Sequence, residues 1–476
     1  EMYFFPSTES DEAKVARRRV EEQRHRRTSQ AGTLVLVNVC QALLFLQVFL
    51  TAQAEDRLPM GVAFGGLALL SWVLYGIYRA AQRSAYELES LVFLLISIGA
   101  AVTAAYEPAS LYKLLITVVM GMVLFLAMSG VLRDLHLSIR ARWPVAIAAG
   151  ALLAFNVVLG ERIFGAKNWI SIGPLSFQPS ELVKIAFILA GAATLDRLFA
   201  KRNLVFTILF SAYCVGCLAL MSDFGTALIF FVAFLCIAFL RTGDLPSIAM
   251  MVAAAAFGCG IILRFKPYIA DRFAAWRHAW DYAQDIGYQQ TRTMSAMASG
   301  GLFGVGPKNG WLKYVGAANT DLVFGVVGEE FGFLLALCCV AALVIPIVFT
   351  LRCAAAARSS FYTILSCATA AMLVCQMALN VLGAVDLLPL TGVTFPFVSM
   401  GGSSMISCWG LMAYLKAADT RQNASFALRL SKLAPQQQEK KAAPAPKARP
   451  KAPQEGFFAD RPDIPVDKIF GKEEDK

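Results

Sequence analysis

The sequence predicts an all-α, polytopic integral membrane protein with about twelve transmembrane helices and both termini cytoplasmic. Three observations lead there. Of 476 residues, 57% are hydrophobic and 16% charged, and mean hydropathy is +0.58, whereas soluble domains carry roughly 25% charged residues. Continuous apolar runs close to the roughly 20 residues that span a bilayer as a helix recur along the chain. Lysine and arginine, finally, favour alternate connections between those runs.

The runs fall near 33–52, 60–79, 91–107, 111–132, 144–160, 181–196, 203–221, 224–240, 247–264, 322–350, 362–385 and 398–416. They are unbroken, unlike the alternating segments of a transmembrane barrel. With the basic amino end (Arg17, Arg18, Arg19, Arg24, Arg26, Arg27) inside, the short internal connections carry Arg79, Arg83, Arg133, Arg140, Arg142, Arg197, Lys201, Arg202, Arg241, Arg352 and Arg358. The short external ones carry Arg57, Arg162 and Lys167. An even number of helices places the carboxyl tail inside as well.

Residues 1–32 form a basic cytoplasmic segment, and 418–476 a cytoplasmic tail. Within that tail, 433–454 is Ala, Pro, Gln and Lys, a composition that buries no core and is expected to be disordered. Phe457, Phe458 and Phe470 beyond it either dock a partner or belong to an unstructured end. No secretory signal peptide is expected, since no short apolar segment ends in a small-residue cleavage site. Most cysteines lie in apolar runs, and Cys214 and Cys217, at redox-motif spacing, have no histidine near them. With His25, His136 and His278 as the histidines, a histidine-based triad or zinc site is not expected.

The chemistry concentrates where charge meets apolar sequence, because ionisable groups at membrane depth mark functional sites. Gln178-Pro179-Ser180-Glu181-Leu182-Val183-Lys184 opens one run. Pro179 suits the first helical turn, with Gln178 or Ser180 as cap. Glu181 and Lys184 then share a face, either as a functional pair or as an interface anchor with a snorkelling lysine. Asn319-Thr320-Asp321 opens another run, with Asp321 read as an N-cap or a reactive group. Glu329 and Glu330 follow about 12 Å further along a helix, among Gly325, Gly328 and Gly332. They read as architectural, bonded to backbone or polar groups near a break at Pro396. Asp223, in a tight external turn, reads as the cap of the next helix or as a catalytic carboxylate. Leu388 through Ser404, with Pro389, Pro396, Gly401 and Gly402, is a broken helix, tolerated at depth only where protein or a water-filled cavity covers it.

One long external connection, 265–320, carries Phe265, Lys266, Arg272, Phe273, Trp276, Arg277 and Trp280, then Gly287-Tyr288-Gln289-Gln290, Arg292 and a glycine cluster. Loops of this length are usually functional. Its first part reads as an interfacial helix, as a cationic wall for an anionic headgroup, or as both.

Taken together, these motifs resemble the SEDS family (shape, elongation, division and sporulation), which includes FtsW, RodA and SpoVE. The resemblance rests on Asn168-Trp169-Ile170, Gln178 through Lys184, Asp223-Phe224-Gly225-Thr226, Gly287-Tyr288-Gln289 and Ser299-Gly300-Gly301-Leu302. It continues through Gly304-Val305-Gly306, Thr320-Asp321-Leu322-Val323-Phe324, Gly328-Glu329-Glu330-Phe331-Gly332 and Phe395 through Ser404, across residues 91–417. It implies a ten-helix core, with the two helices within 33–80 as an amino-terminal addition. It also implies a peptidoglycan glycosyltransferase that polymerises lipid II at the outer face of the bacterial cytoplasmic membrane, at the division septum or the lateral wall. A class B penicillin-binding protein would be the transpeptidase partner, and no nucleic acid is involved.

The resemblance puts the essential aspartate on Asp321, the helix carboxylate and lysine on Glu181 and Lys184, and a site-lining tryptophan on Trp169. Gln178, Ser180, Gln289, Thr320, Ser399 and Ser403 are the further expected substrate contacts. Asn168, Met400, Met221-Ser222 and Asn319 depart from the usual arginine, tyrosine, Gln-Pro and frequent histidine. On this reading Asp321 deprotonates a sugar hydroxyl that attacks an anomeric carbon bearing a diphosphate. Lys184 holds Asp321 and lowers its pKa, with Glu181 balancing the lysine. Arg272, Arg277, Arg292, Lys308 or Lys313 neutralises the diphosphate, with or without a divalent cation (magnesium or manganese). A diphosphate leaves without protonation, so the second carboxylic acid of a glycosidase is not needed. The alternatives are a lipid-linked precursor flippase and a non-catalytic scaffold for the division or elongation machinery.

Overall fold

The structure, a computed structural model, describes residues 11–163, 166–172, 175–195, 201–265, 267–354, 359–419 and 424–427. The expectations for 433–454, Phe457, Phe458 and Phe470 lie outside them. Helices α1 (Asp11–Leu50) and α2 (Arg57–Ala80) form an antiparallel hairpin ahead of α3 (Glu87–Tyr106) and α4 (Leu111–Val131). A short α5 (Leu135–Arg140) leads into α6 (Arg142–Leu159). Strands β1 (Glu161–Ile163), β2 (Ala166–Ile172) and β3 (Leu175–Phe177) follow, then α7 (Pro179–Leu195), α8 (Lys201–Leu220), α9 (Phe224–Thr242) and α10 (Leu245–Phe265). The long connection folds into α11 (Pro267–Ala275) and α12 (Tyr288–Gly300), and the chain closes with α13 (Val323–Val326), α14 (Phe333–Ala354), α15 (Ser360–Ala384) and α16 (Gly402–Ala417).

Helix occupies most of every expected apolar run. Among the described residues, eight helices are long and apolar enough to cross a membrane: the Gln30–Leu50 part of α1, α2, α3, α6, α9, α15, the Pro108–Val131 segment containing α4, and the Phe333–Arg352 part of α14. The chain is a multi-pass membrane protein. Helix α3 is the central post, with 89% of its apolar window buried inside the bundle against 22% for α6 at the periphery. Its glycine 99 lies so close to the broken segment that an added Cβ would sit 2.3 Å from the Val398 carbonyl oxygen. On α16, the buried Trp409 packs edge-on against Phe93 and Phe125.

The structure corrects the helical expectation in two places. Between α6 and α7 lies a three-stranded antiparallel sheet, order β1-β2-β3, with Glu161 opposite Trp169 and Ile170 opposite Phe177. Two of its strands have three residues each, too short to show a period. The run 322–350 is not one helix, either. After α13 the backbone widens to a π turn over Val327–Phe331, Gly332 takes φ +94°, and α14 starts afresh at Phe333. The 301–306 loop satisfies the opened backbone, with Val305 N–H donating to Glu329 O (2.9 Å), Gly306 N–H to Glu330 O (3.0 Å) and Phe333 N–H to Gly301 O (3.0 Å). Glu329 and Glu330 therefore sit in this covered break rather than two turns inside a spanning helix.

Candidate active site at one end of the bundle

A cavity of about 970 Å3 opens where the sheet, the starts of α7 and α9, α11, the 317–321 turn and the broken 388–404 segment converge. One part is polar, lined by Asn168, Trp169, Gln178, Asp223, Arg272, Thr320, Asp321, Ser403 and Ser404. The other is apolar, with Val215, Leu228, Phe231, Ala255, Gly258 and Cys259 from α8, α9 and α10.

Asp321 is not the N-cap that its position suggests. Its amide donates to Ala317 O (2.9 Å), Leu322 takes the cap position, and the carboxylate faces the cavity. Gly392, at φ +72°, lets the opposite wall approach: an added Cβ there would lie 3.1 Å from Asp321 Oδ2. Lying outside the spanning helices, Asp321 has its pKa raised from 3.8 to about 6, because burial penalises the anion more than the Thr320 hydroxyl and the Arg272 cation favour it. The field of Asp223, also on the cavity, pushes the same way.

This reverses the expected pairing. Lys184 does not hold Asp321. Its Nζ donates to Glu181 Oε1 (2.7 Å) and to Gln376 Oε1 on α15 (2.9 Å), while Ser407 on α16 donates to Glu181 Oε2 (2.8 Å). Both charged side chains are buried, and neither lines the cavity. Such a pair is viable because each partner has further hydrogen bonds. Sequence spacing correctly put Glu181 and Lys184 together but could not tell which neighbour would complete the set.

Asp223 caps α9 through Thr226 N–H (3.2 Å), as expected. Its other oxygen accepts from Asn168 Nδ2 (2.8 Å) and Gln178 Nε2 (3.0 Å), joining the sheet, α7 and α9 at one atom. Gln178 is thus a brace with its face on the cavity, not a cap of α7. Ser180 does not cap either: its buried hydroxyl has no hydrogen-bond partner among the described residues. Ser403 accepts from Gln178 N–H (3.3 Å). Ser399 lies off the cavity, donating to Thr320 O (2.6 Å) and accepting from Phe395 N–H (2.8 Å), so it pins the Asp321 turn from outside the cavity.

Of the five cations expected at a diphosphate, Arg272 lines the cavity and donates to Leu390 O (2.8 Å). The other four lie elsewhere. Arg277 is exposed beyond Trp276, with its backbone N–H on Asp386 Oδ1 (3.2 Å), and Arg292 covers the Tyr288 ring. Lys308 pairs with Asp56 in the α1–α2 turn (2.9 Å), and Lys313 donates to Lys308 O (2.6 Å). Gln289 is likewise off the cavity, donating to Gly316 O (3.0 Å). Amphipathic spacing marked α11 as a wall but could not show that the chain turns away after Trp276.

Glu329 is bonded to backbone as expected, at Trp311 N–H (2.8 Å) and Leu312 N–H (3.1 Å) rather than at groups of the broken segment; Glu330 packs beside it against Gly310. Pro396 is buried within the broken segment, Gly401 lines the cavity and Gly402 starts α16. Two departures from the family pattern meet here, since Asn319 Nδ2 lies 3.6 Å from Met400 Sδ. Sequence reading missed Gln376, Asn380, Thr391 and Thr394. Gln376 and Asn380 did carry a signal, as two amides four residues apart in an otherwise apolar span. Among the described residues no group of three His, Cys, Asp or Glu side chains could hold a metal ion. Two carboxylates, Asp223 and Asp321, face the cavity, and one oxygen of Asp223 already accepts two amides.

The fold and site define a membrane-embedded protein with a buried, high-pKa carboxylate at the polar end of an amphipathic cavity. The chain belongs to the FtsW–RodA–SpoVE family, described as cell cycle proteins, whose family model matches residues 79–424. That match leaves α1 and nearly all of α2 ahead of it. The probable peptidoglycan glycosyltransferase FtsW of Saccharophagus degradans is 29% identical over 366 residues, covering 71% of this chain and 93% of that protein. Peptidoglycan glycosyltransferase RodA of Mycobacterium leprae is 30% identical over 336 residues, covering 66% and 70%. A solved structure described as "structural coordination of polymerization and crosslinking by a peptidoglycan synthase complex" aligns with TM-score 0.60 and 26% identity over 71% of this chain and 98% of that one. The rod-shape-determining protein RodA of Thermus thermophilus, at 24% identity and TM-score 0.53 over 69% and 94%, shares the fold.

Proposed function

We propose that this protein is a peptidoglycan glycosyltransferase that polymerises lipid II at the outer face of the bacterial cytoplasmic membrane, with Asp321 as its base. The observation that carries the proposal is the Asp321 carboxylate, facing the polar end of the cavity with its pKa raised to about 6. A base works best with a pKa near the operating pH, and this one has moved toward it. The acceptor hydroxyl gives its proton to Asp321 as its oxygen bonds to the anomeric carbon of the donor, and the bond from that carbon to the diphosphate breaks. Arg272 is placed to meet the diphosphate charge. Trp169 offers a ring to a sugar face, and the apolar walls from α8, α9 and α10 suit a polyprenyl chain. Glu181, Lys184, Ser180 and Ser399 act from beneath the floor, without touching substrate.

Family membership and the named activities of the relatives support the reaction class. The synthase-complex similarity supports a partner that crosslinks; on the proposed reading that partner is a class B penicillin-binding protein and the pair works at the septum or lateral wall. The decisive experiment incubates labelled lipid II with the purified chain, alone and with such a partner. Glycan strands that disappear in Asp321→Asn and Asp321→Ala variants of unchanged thermal stability or better support the assignment. Full activity in both variants refutes it, and headgroup translocation without strands would identify a flippase.

A further inference from the structure

We infer that Gln376 and Asn380 on α15 are positioning residues, through which the buried Lys184–Glu181 pair sets the geometry of the Asp321 turn. The inference deepens the glycosyl-transfer reading and rests on it for its catalytic consequence. Lys184 can only donate, so the amide oxygen of Gln376 must be the atom facing it at 2.9 Å. That fixes the other end of the amide. Gln376 Nε2 then donates to Thr394 O and to Thr394 Oγ1, each at 3.0 Å, and Thr394 Oγ1 lies 2.7 Å from Ser404 Oγ.

One turn further along the same face, Asn380 Nδ2 donates to Val393 O (2.8 Å) and to the Asp321 backbone carbonyl (2.9 Å). The two amides therefore hold consecutive carbonyls, 393 and 394, of a segment without regular structure, and Asn380 ties that segment to residue 321. Gly392, next in line, backs Asp321 Oδ2. A change in the Gln376 amide moves 393–394 and, through Asn380, the backbone of Asp321. The ion pair thus reaches the reactive group by a chain of hydrogen bonds, without contact.

The plainer account is that Gln376 and Asn380 satisfy broken backbone and do nothing more. The accounts differ in what removal of Lys184 does at a distance. The test uses the full chain in lipid nanodiscs as wild type, Lys184→Met, Gln376→Leu, their double variant, Gln376→Glu and Asn380→Ala. Hydrogen–deuterium exchange over 317–322 is the readout independent of activity. Coupling predicts that Lys184→Met and Gln376→Leu each raise exchange there by about tenfold, as Asn380→Ala does. Gln376→Glu, which keeps an acceptor for Lys184 but loses the donor to Thr394, should do the same. In kinetics with lipid II, kcat should fall while KM holds, and the double variant should be no worse than the worse single one.

Exchange over 317–322 unchanged in Lys184→Met, or rate losses that simply add, would overturn the coupling. If Lys184→Met fails to fold, the Lys184→Met/Glu181→Gln pair, which strands no charge, is measured in its place. A wild-type chain that makes no strands would count against the activity reading, while the exchange measurement would still decide the coupling.

Discussion

If Asp321 is the base, the acid limb of the reaction lies where its fold-raised pKa places it. At about 6, roughly nine-tenths of the carboxyl is ionised at pH 7 and about one-tenth at pH 5. The polymerisation rate should therefore fall about tenfold between those values. An aspartate at its ordinary 3.8 would stay more than about nine-tenths ionised throughout. Arg272 is the cation whose field holds the value down, so Arg272→Gln should move the limb upward, toward neutral pH.

The same shift makes a stability prediction of opposite sign. A carboxyl whose folded pKa exceeds its unfolded one binds its proton more tightly in the native state, so its contribution is present at low pH and lost as pH rises through about 6. A rise from 3.8 to about 6 corresponds to about 3 kcal/mol against the ionised form. Asp321→Asn, neutral at every pH, should melt higher than wild type at pH 7.5, with the gap closing as pH falls toward 4. Initial rates with labelled lipid II across pH 5 to 8, paired with thermal melts of both proteins, give the two readouts. A rate flat down to pH 5, together with an Asn variant less stable at pH 7.5, would refute the reasoning.

Other perturbations test the scaffold. Lys184→Met leaves Glu181 buried without its cation and should cost about 3–5 kcal/mol, seen as a large drop in melting temperature that Glu181→Gln in the same chain mostly restores. Asp223→Ala removes an α9 cap and the acceptor for Asn168 and Gln178; chemical denaturation should show a loss of about 1–3 kcal/mol, with strand formation reduced. Gly99→Ala would drive a methyl to 2.3 Å from the Val398 carbonyl oxygen, a backbone atom that cannot swing aside, so a sharply lower yield of folded protein is expected in size-exclusion chromatography.

Much of the architecture was legible because membrane helices announce themselves twice, by length and by apolar content. The start of α7 at Pro179 and the cap of α9 by Asp223 follow from local backbone chemistry, which a sequence carries in full. What failed was what depends on a distant partner. Glu329 and Glu330 look like deep intramembrane charges only if 322–350 is one helix; the break comes from the 301–306 loop docking onto the π turn and Gly332, a contact across more than twenty residues. Lys184 was correctly joined to Glu181, three residues away, and wrongly to Asp321, because Gln376, 192 residues on, gives no local sign of being its second acceptor. Arg277 and Arg272 share an amphipathic pattern, but a left-handed residue at position 277 (φ +63°) turns the later arginine out of the wall.

The separation of Lys184 from Asp321 is itself chemically useful. A lysine in direct contact would stabilise the aspartate anion and make it a weaker base, so the pair would have to open before each proton transfer. Here the ammonium is neutralised by Glu181 within the floor, and neutral amides reach the Asp321 turn in its place. Asp321 keeps a partly desolvated, high-pKa carboxyl while its backbone stays fixed by Asn380 and by Ser399 acting on Thr320. Position and basicity come under different residues, so either can be altered alone. A substitution at Asn380 should slow the reaction without moving the pH at which it half-fails, whereas one at Arg272 should move that pH.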